Sequence, residues 1–148
     1  MRLFALLLCL LLAAPAARAA PEDELLATYH RFLAAQNARD LDGVRAVLWD
    51  HPRYLWVSDG RAYWGREAML ERMGRFQTAP VWHVTPHLAR AVPVLLTPDV
   101  GFVHMPLNLR IGPAAEPSSI EFLVGVLCVR TADGWRIAAL FTTEDKTE

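Results

Sequence analysis

Residues 36–65 read QNARDLDGVRAVLWDHPRYLWVSDGRAYWG, a stretch holding the end of one helix, the whole of a second, and an aromatic strand that turns back on itself. Asp40 is placed to cap a helix starting at Leu41, because its short carboxylate can accept the free backbone N–H groups of a first turn. Pro52 cannot continue that helix. From Arg53 the hydrophobic period changes to two. YLWVS carries large or β-branched residues on both faces, which predicts a strand covered on both sides. Asp59 and Gly60 supply a turn, and Trp64 and Gly65 close the unit.

Upstream, Leu25, Leu26, Tyr29, Phe32, Leu33 and Gln36 recur at helical spacing, which predicts an amphipathic helix over 22–38. Glu22, Asp23 and Glu24 suit its positive end. The second helix buries Leu41, Val44, Val47 and Leu48, so the two form a helical hairpin with Arg39, Asp42 and Arg45 outside. Downstream, a third helix spans 66–76, with Met69, Met73 and Phe76 inward and Glu67, Glu71, Arg72 and Arg75 outward. After Pro80 the chain reads as long strands over 81–96, 100–111, 119–130 and 135–143. Asp133–Gly134 marks a hairpin between the last two. Pro86, Pro93 and Pro106 each remove a ladder donor, so those strands are expected to be bulged, bent or at an edge. The fold class is α+β: three N-terminal helices packed on a strongly curved antiparallel sheet.

The first 19 residues place one cation at Arg2 before an apolar run from Leu3 to Ala14, then Pro15 and the small-residue site Ala17-Arg18-Ala19. This is the pattern of a secretory signal peptide cleaved after Ala19, and the expected location is periplasmic or secreted. Residues 20–148 then form one domain with no membrane contact. Losing Arg2 and Arg18 leaves 13 cations against 16 acids, a net charge near −3, with no basic stripe for nucleic acid. Only Cys128 remains after cleavage, so an intrachain disulfide is excluded.

The opening helix, NARDLDGVRAVL, YLWVSDG, the Trp64–Gly65 pair and the terminal DGWRIAALFTT together resemble the NTF2-like, SnoaL-like superfamily. The likeness extends over residues 20–148. It implies a cone in which three helices lie against a bent sheet and enclose a pocket; the superfamily hosts isomerases, dehydratases, cyclases, transport factors and binding modules. Its steroid isomerases use a carboxylate base from the first strand, with a tyrosine and a protonated acid at the oxyanion. Here Phe32 stands where that tyrosine would come from, Trp56 and Val57 where the base would sit, and FVHMPLNLRI has no acid. That mechanism is unsupported.

Five tryptophans, at 49, 56, 64, 82 and 135, remain in residues 20–148. Trp56 and Trp64 are candidates for the wall of a pocket, and Trp135 for the core. On strand 100–111, Val103, Met105, Leu107, Leu109 and Ile111 share one face; Phe102, His104, Asn108 and Arg110 share the other. If the second face is concave, His104 and Asn108 orient a ligand; if convex, they are solvated or face a partner. Glu121 is a candidate acid partner for His104. Cys128 sits in VGVLCVR and reads as a buried inert thiol. The histidines lack metal-pair spacing, Ser118 and Ser119 lack a glycine elbow, and no cofactor is called for.

The candidate ligand-binding set is Tyr29, Trp56, Trp64, His104, Asn108 and Glu121. The function it favours is binding a small, mostly apolar molecule between helices and sheet, in a chain that forms a homodimer through its exposed sheet face. The alternatives are a cofactor-free isomerase, cyclase or dehydratase with His104 as acid or base, assisted by Tyr29 or Glu121, and an interaction module that uses the outer sheet face.

Overall fold

The computed structural model describes residues 20–146, and the expected export signal over 1–19 lies outside them. Three helices come first: α1 (Pro21–Asn37), α2 (Leu41–Val47) and α3 (Arg66–Phe76). Pro21 occupies the first turn of α1, where its missing N–H costs nothing. Asp40 caps α2 as its sequence predicts, accepting from the Gly43 amide at 2.9 Å. Between α2 and α3 lies the hairpin of β1 (Leu55–Ser58) and β2 (Arg61–Trp64). Asp59 and Gly60 both adopt positive φ, at 53° and 67°, the geometry a tight hairpin turn requires.

The remaining strands are β3 (Val81–Pro86), β4 (Val92–Thr97), β5 (Val100–His104), β6 (Leu107–Gly112), β7 (Ser118–Thr131) and β8 (Gly134–Glu144). Two of the long strands expected from sequence are broken. One stops at Pro86 before a short 3-10 turn over Leu88–Arg90, and the other is interrupted at Met105–Pro106. Proline supplies no donor to the ladder, and the chain uses both sites to divide the sheet. β7 is the long spine. Its first half pairs with β6, which pairs with β3, and its second half pairs with β5, which pairs with β4.

The sheet is mixed, where a wholly antiparallel one was expected. β1 runs parallel to β8, with Leu55 opposite Ala139 and Ser58 opposite Thr142. Every helix and strand from β2 to β7 intervenes between these two strands, so no tight turn fixes their relative direction.

Alternation along the strands assigns the two faces. Val103, Val124, Val126, Cys128, Ile137 and Leu140 are buried beneath the helices. Leu25, Tyr29, Phe32 and Leu33 of α1 cover them, each contributing about 1.5–3 kcal/mol by leaving water. α1 crosses β5 where Gly101 leaves room: a Cβ there would lie 2.5 Å from Leu25 Cδ1 and 2.9 Å from the Val94 carbonyl oxygen. Burial pushes the Cys128 thiol up to about 12, so it stays protonated and inert.

Polar side chains lock the helices to the sheet. Trp135 Nε1 and Arg130 Nη2 both donate to Glu24 Oε2 at 3.0 Å, and the Arg130 guanidinium lies 4.7 Å from the Trp135 ring centroid. The first turn of α1 is thereby tied to the β7–β8 hairpin. At its other end, the Asn37 side chain donates to the Val84 carbonyl at 2.8 Å and accepts from the Val84 amide at 2.7 Å. Arg39, at φ 56°, donates to the carbonyls of Gln77 and Pro80 and closes the helical hairpin over the start of β3.

Candidate functional site

Between α1, α3 and the inner sheet face lies a cavity of about 650 Å³. α1 contributes Tyr29 and Phe32, α3 contributes Met69, Met73 and Phe76, and β1 contributes Trp56. The sheet completes the wall with Trp82 and Val84 of β3, Leu107 and Leu109 of β6, Phe122 and Val124 of β7, and Leu140 of β8. Volume and lining are those of small-molecule sites: mostly apolar, aromatic-rich and largely pre-formed.

Polar groups of the aromatic wall are satisfied locally or held neutral. Trp82 Nε1 donates to the Gln36 carbonyl at 3.1 Å, and its ring stacks on Phe76 at 6.4 Å. The hydroxyl of Tyr54, also buried, donates to Met69 Sδ at 2.9 Å. Burial raises the pKa of the Tyr29 and Tyr54 phenols, so neither ionises near neutrality. The charged members of the lining are Asp59, Arg72, Glu144 and Lys146. Of these, Asp59, Glu144 and Lys146 are exposed, whereas only 16 % of the Arg72 side chain is.

The six candidate residues do not converge. Tyr29 and Trp56 line the cavity. Trp64 is 60 % exposed at the end of β2 and lies outside the lining. Asn108 and Glu121 face each other across β6 and β7, on the side opposite Leu107, Leu109, Ile120 and Phe122, which point inward. His104 is on that outer side too, opposite Gly125 and Val92.

Nor do His104 and Glu121 form a dyad. Four residues of strand separate His104 from Asn108, the partner of Glu121, a distance of about 13 Å. Glu121 pairs instead with His87, Nε2 to Oε2 at 2.7 Å, and accepts from Asn108 Nδ2 at 2.8 Å. These contacts, that of His87 foremost, hold its carboxyl below the usual range. Tyr29 is on the other side of the sheet, so His104, Glu121 and Tyr29 share no reaction volume. The strand parity assigned from sequence is the observed one; its inner face is the apolar one.

Arg72, expected from the sequence on the outer face of α3, lines the cavity. Met69, Arg72, Met73 and Phe76 fall at intervals of three and four, so Arg72 belongs to the inward stripe of α3. Its guanidinium is sandwiched 4.9 Å from the Tyr63 centroid and 4.6 Å from that of Phe76. A shallower groove between α2 and the β7–β8 hairpin is lined by Arg45, Arg66 and Arg136 with Asp42, Asp50 and Asp133. There Arg66 pairs with Asp50 at 2.8 Å and Arg45 with Glu67, so its charges are largely self-neutralised. Among the described residues, no three His, Cys, Asp or Glu side chains are grouped to hold a metal ion.

A family model described as the SnoaL-like domain matches residues 25–140. The chain belongs to the SnoaL-like family. Solved structures agree on the NTF2-like fold of this SnoaL-like domain. It is similar to an NTF2-like superfamily protein from Salmonella enterica serovar Typhimurium, with a TM-score of 0.75 at 10% identity over 85% of this chain and 92% of that one. It is also similar to an NTF2-like protein of unknown function from Shewanella oneidensis, with a TM-score of 0.65 at 16% identity over 83% and 98% of the two chains. A ketosteroid isomerase-like protein from Erwinia carotovora atroseptica superposes with a TM-score of 0.68 at 18% identity over 84% and 96%. No curated protein matches this chain. In its cavity, the positions compared above with a steroid isomerase, Phe32 and Trp56, present apolar rings.

Proposed function

We propose that the chain is an exported SnoaL-like domain that binds a small, mostly apolar molecule in the cavity between its helices and sheet. The observation that carries this reading is the wall itself. Tyr29, Phe32, Met69 and Met73 are at most 3 % exposed yet border about 650 Å³ of space. An apolar ligand entering it would displace water that finds few hydrogen-bond partners there.

Native mass spectrometry of protein recovered from the periplasm of its own host tests export and binding together. The expected chain begins at Ala20 and carries a co-purified small molecule. Hydrophobic ligands are expected to quench the fluorescence of Trp56 and Trp82, and Leu109→Trp, which fills part of the space, to weaken that binding at least tenfold while the fold persists. A broad hydrophobic library that shifts neither fluorescence nor melting temperature would overturn the reading.

The outer sheet face supports a homodimer. Val57, Phe141, Gly125, His104 and Val92 form one row across β1, β8, β7, β5 and β4. In that row Phe141 is 47 % and Val92 50 % exposed. Such an apolar row on an open sheet suits a self-complementary contact about a two-fold axis. Sedimentation equilibrium at micromolar concentration should give the mass of two chains, and Phe141→Lys that of one. A monomeric wild-type protein refutes the dimer.

A further inference from the structure

We infer that the ligand of this cavity is a monocarboxylate with an apolar body, its anionic head held by Arg72. The inference rests on the cavity-binding reading above and adds the chemical class of the ligand.

The guanidinium of Arg72 is short of acceptors. It carries five N–H donors, yet among the described residues none makes a hydrogen bond, and Nε is buried with no partner. Its ion-pair neighbour is Asp59, 3.9 Å away, beyond hydrogen-bond range and with 82 % of its side chain exposed. The Tyr63 and Phe76 rings stabilise the cation through their faces but accept nothing in the guanidinium plane. The Tyr63 hydroxyl beside it is likewise buried and unpartnered. Folded proteins leave few such groups unsatisfied, because each costs the desolvation it does not recover.

An acceptor brought in by the ligand resolves this. Arg72 is part of the cavity wall, so a head group there is within its reach. A planar fork of N–H donors matches a carboxylate, which can accept two of them side by side. The remaining wall, from Phe76 and Trp82 inward to Tyr29 and Leu140, is apolar and suits the body of the molecule. Asp59, 3.9 Å from Arg72, already offsets part of its charge, and Glu144 adds a second acid to the lining against the single further cation Lys146. The balance favours one anionic group over two.

Decanoate and decan-1-ol, which share chain length and differ in the head, test this by titration against tryptophan fluorescence. Wild-type protein is expected to bind decanoate at least tenfold more tightly than the alcohol. Arg72→Met should bring the two within about twofold, and Arg72→Lys, a point charge without the fork, should restore part of the preference. Equal affinities in the wild type overturn the inference and leave the cavity reading standing. An acid preference undiminished in Arg72→Met overturns it as well. If neither probe binds, the carboxylate inference falls, and the broad hydrophobic library above decides the cavity reading. The wild-type comparison decides even if Arg72→Met does not fold.

Discussion

Trp135→Ala is expected to lower the free energy of unfolding by about 3–5 kcal/mol, the largest single loss we anticipate. The indole is 3 % exposed at the root of the β7–β8 hairpin, and three contacts converge on it. Its ring fills the corner between sheet and α1, its Nε1 donates to Glu24, and its face supports the Arg130 guanidinium. Removing it leaves a cavity and takes one donor from a carboxylate that is itself only 29 % exposed. Trp135→Phe separates the terms: most of the ring volume stays and the Glu24 bond goes, for a loss of about 1.5–3 kcal/mol. Urea unfolding should show a fall in midpoint at unchanged slope. Hydrogen exchange should quicken first in the opening turns of α1. A loss below about 1 kcal/mol for the alanine variant would mean that the hairpin does not anchor the helix.

Gly101→Val is expected to cost about 2–3 kcal/mol although valine favours strands. No unusual backbone angle is involved. The reason is space, since an added Cβ meets Leu25 Cδ1 at 2.5 Å and the Val94 carbonyl oxygen at 2.9 Å. A leucine terminus can rotate away; a carbonyl in the β4–β5 ladder cannot move without disturbing its pairing. The two terms separate in a double-mutant cycle with Leu25→Ala. Leu25→Ala should cost less in the Gly101→Val background than alone, because it relieves the softer clash. Strict additivity in urea unfolding would count against the close approach of α1 to β5.

These two sites show which parts of the molecule the sequence makes legible. The helices are legible because their apolar residues repeat at 3.6 and their ends carry chemistry, as at Asp40. The β1–β2 and β7–β8 turns are legible because Asp-Gly pairs name them. The parallel pairing of β1 with β8 is not, because strands so distant in sequence are joined by burial and not by a local signal. The division of the long strands at Pro86 and Pro106 was half legible: proline announces an interruption but not whether the strand bends or ends.

The candidate site was harder to read for a related reason. Strand 100–111 alternates between an apolar and a polar face, and the alternation does not say which of the two lines a cavity. The cavity wall takes the apolar set. Its half-buried charge comes from α3, at Arg72. Its place in the stripe Met69, Arg72, Met73, Phe76 was the available signal. Charge obscured it, because a cation at a core position is ordinarily assigned to the surface.

The Asn37 side chain has one further consequence, for the behaviour of this protein in concentrated solution. β3 pairs with β6 on one side only, and its other edge would present free amides and carbonyls to any passing strand. By bonding both backbone groups of Val84, the carboxamide takes the place of a neighbouring strand at the middle of that edge. One residue at the end of a helix thus guards this edge of the sheet against the addition of other chains.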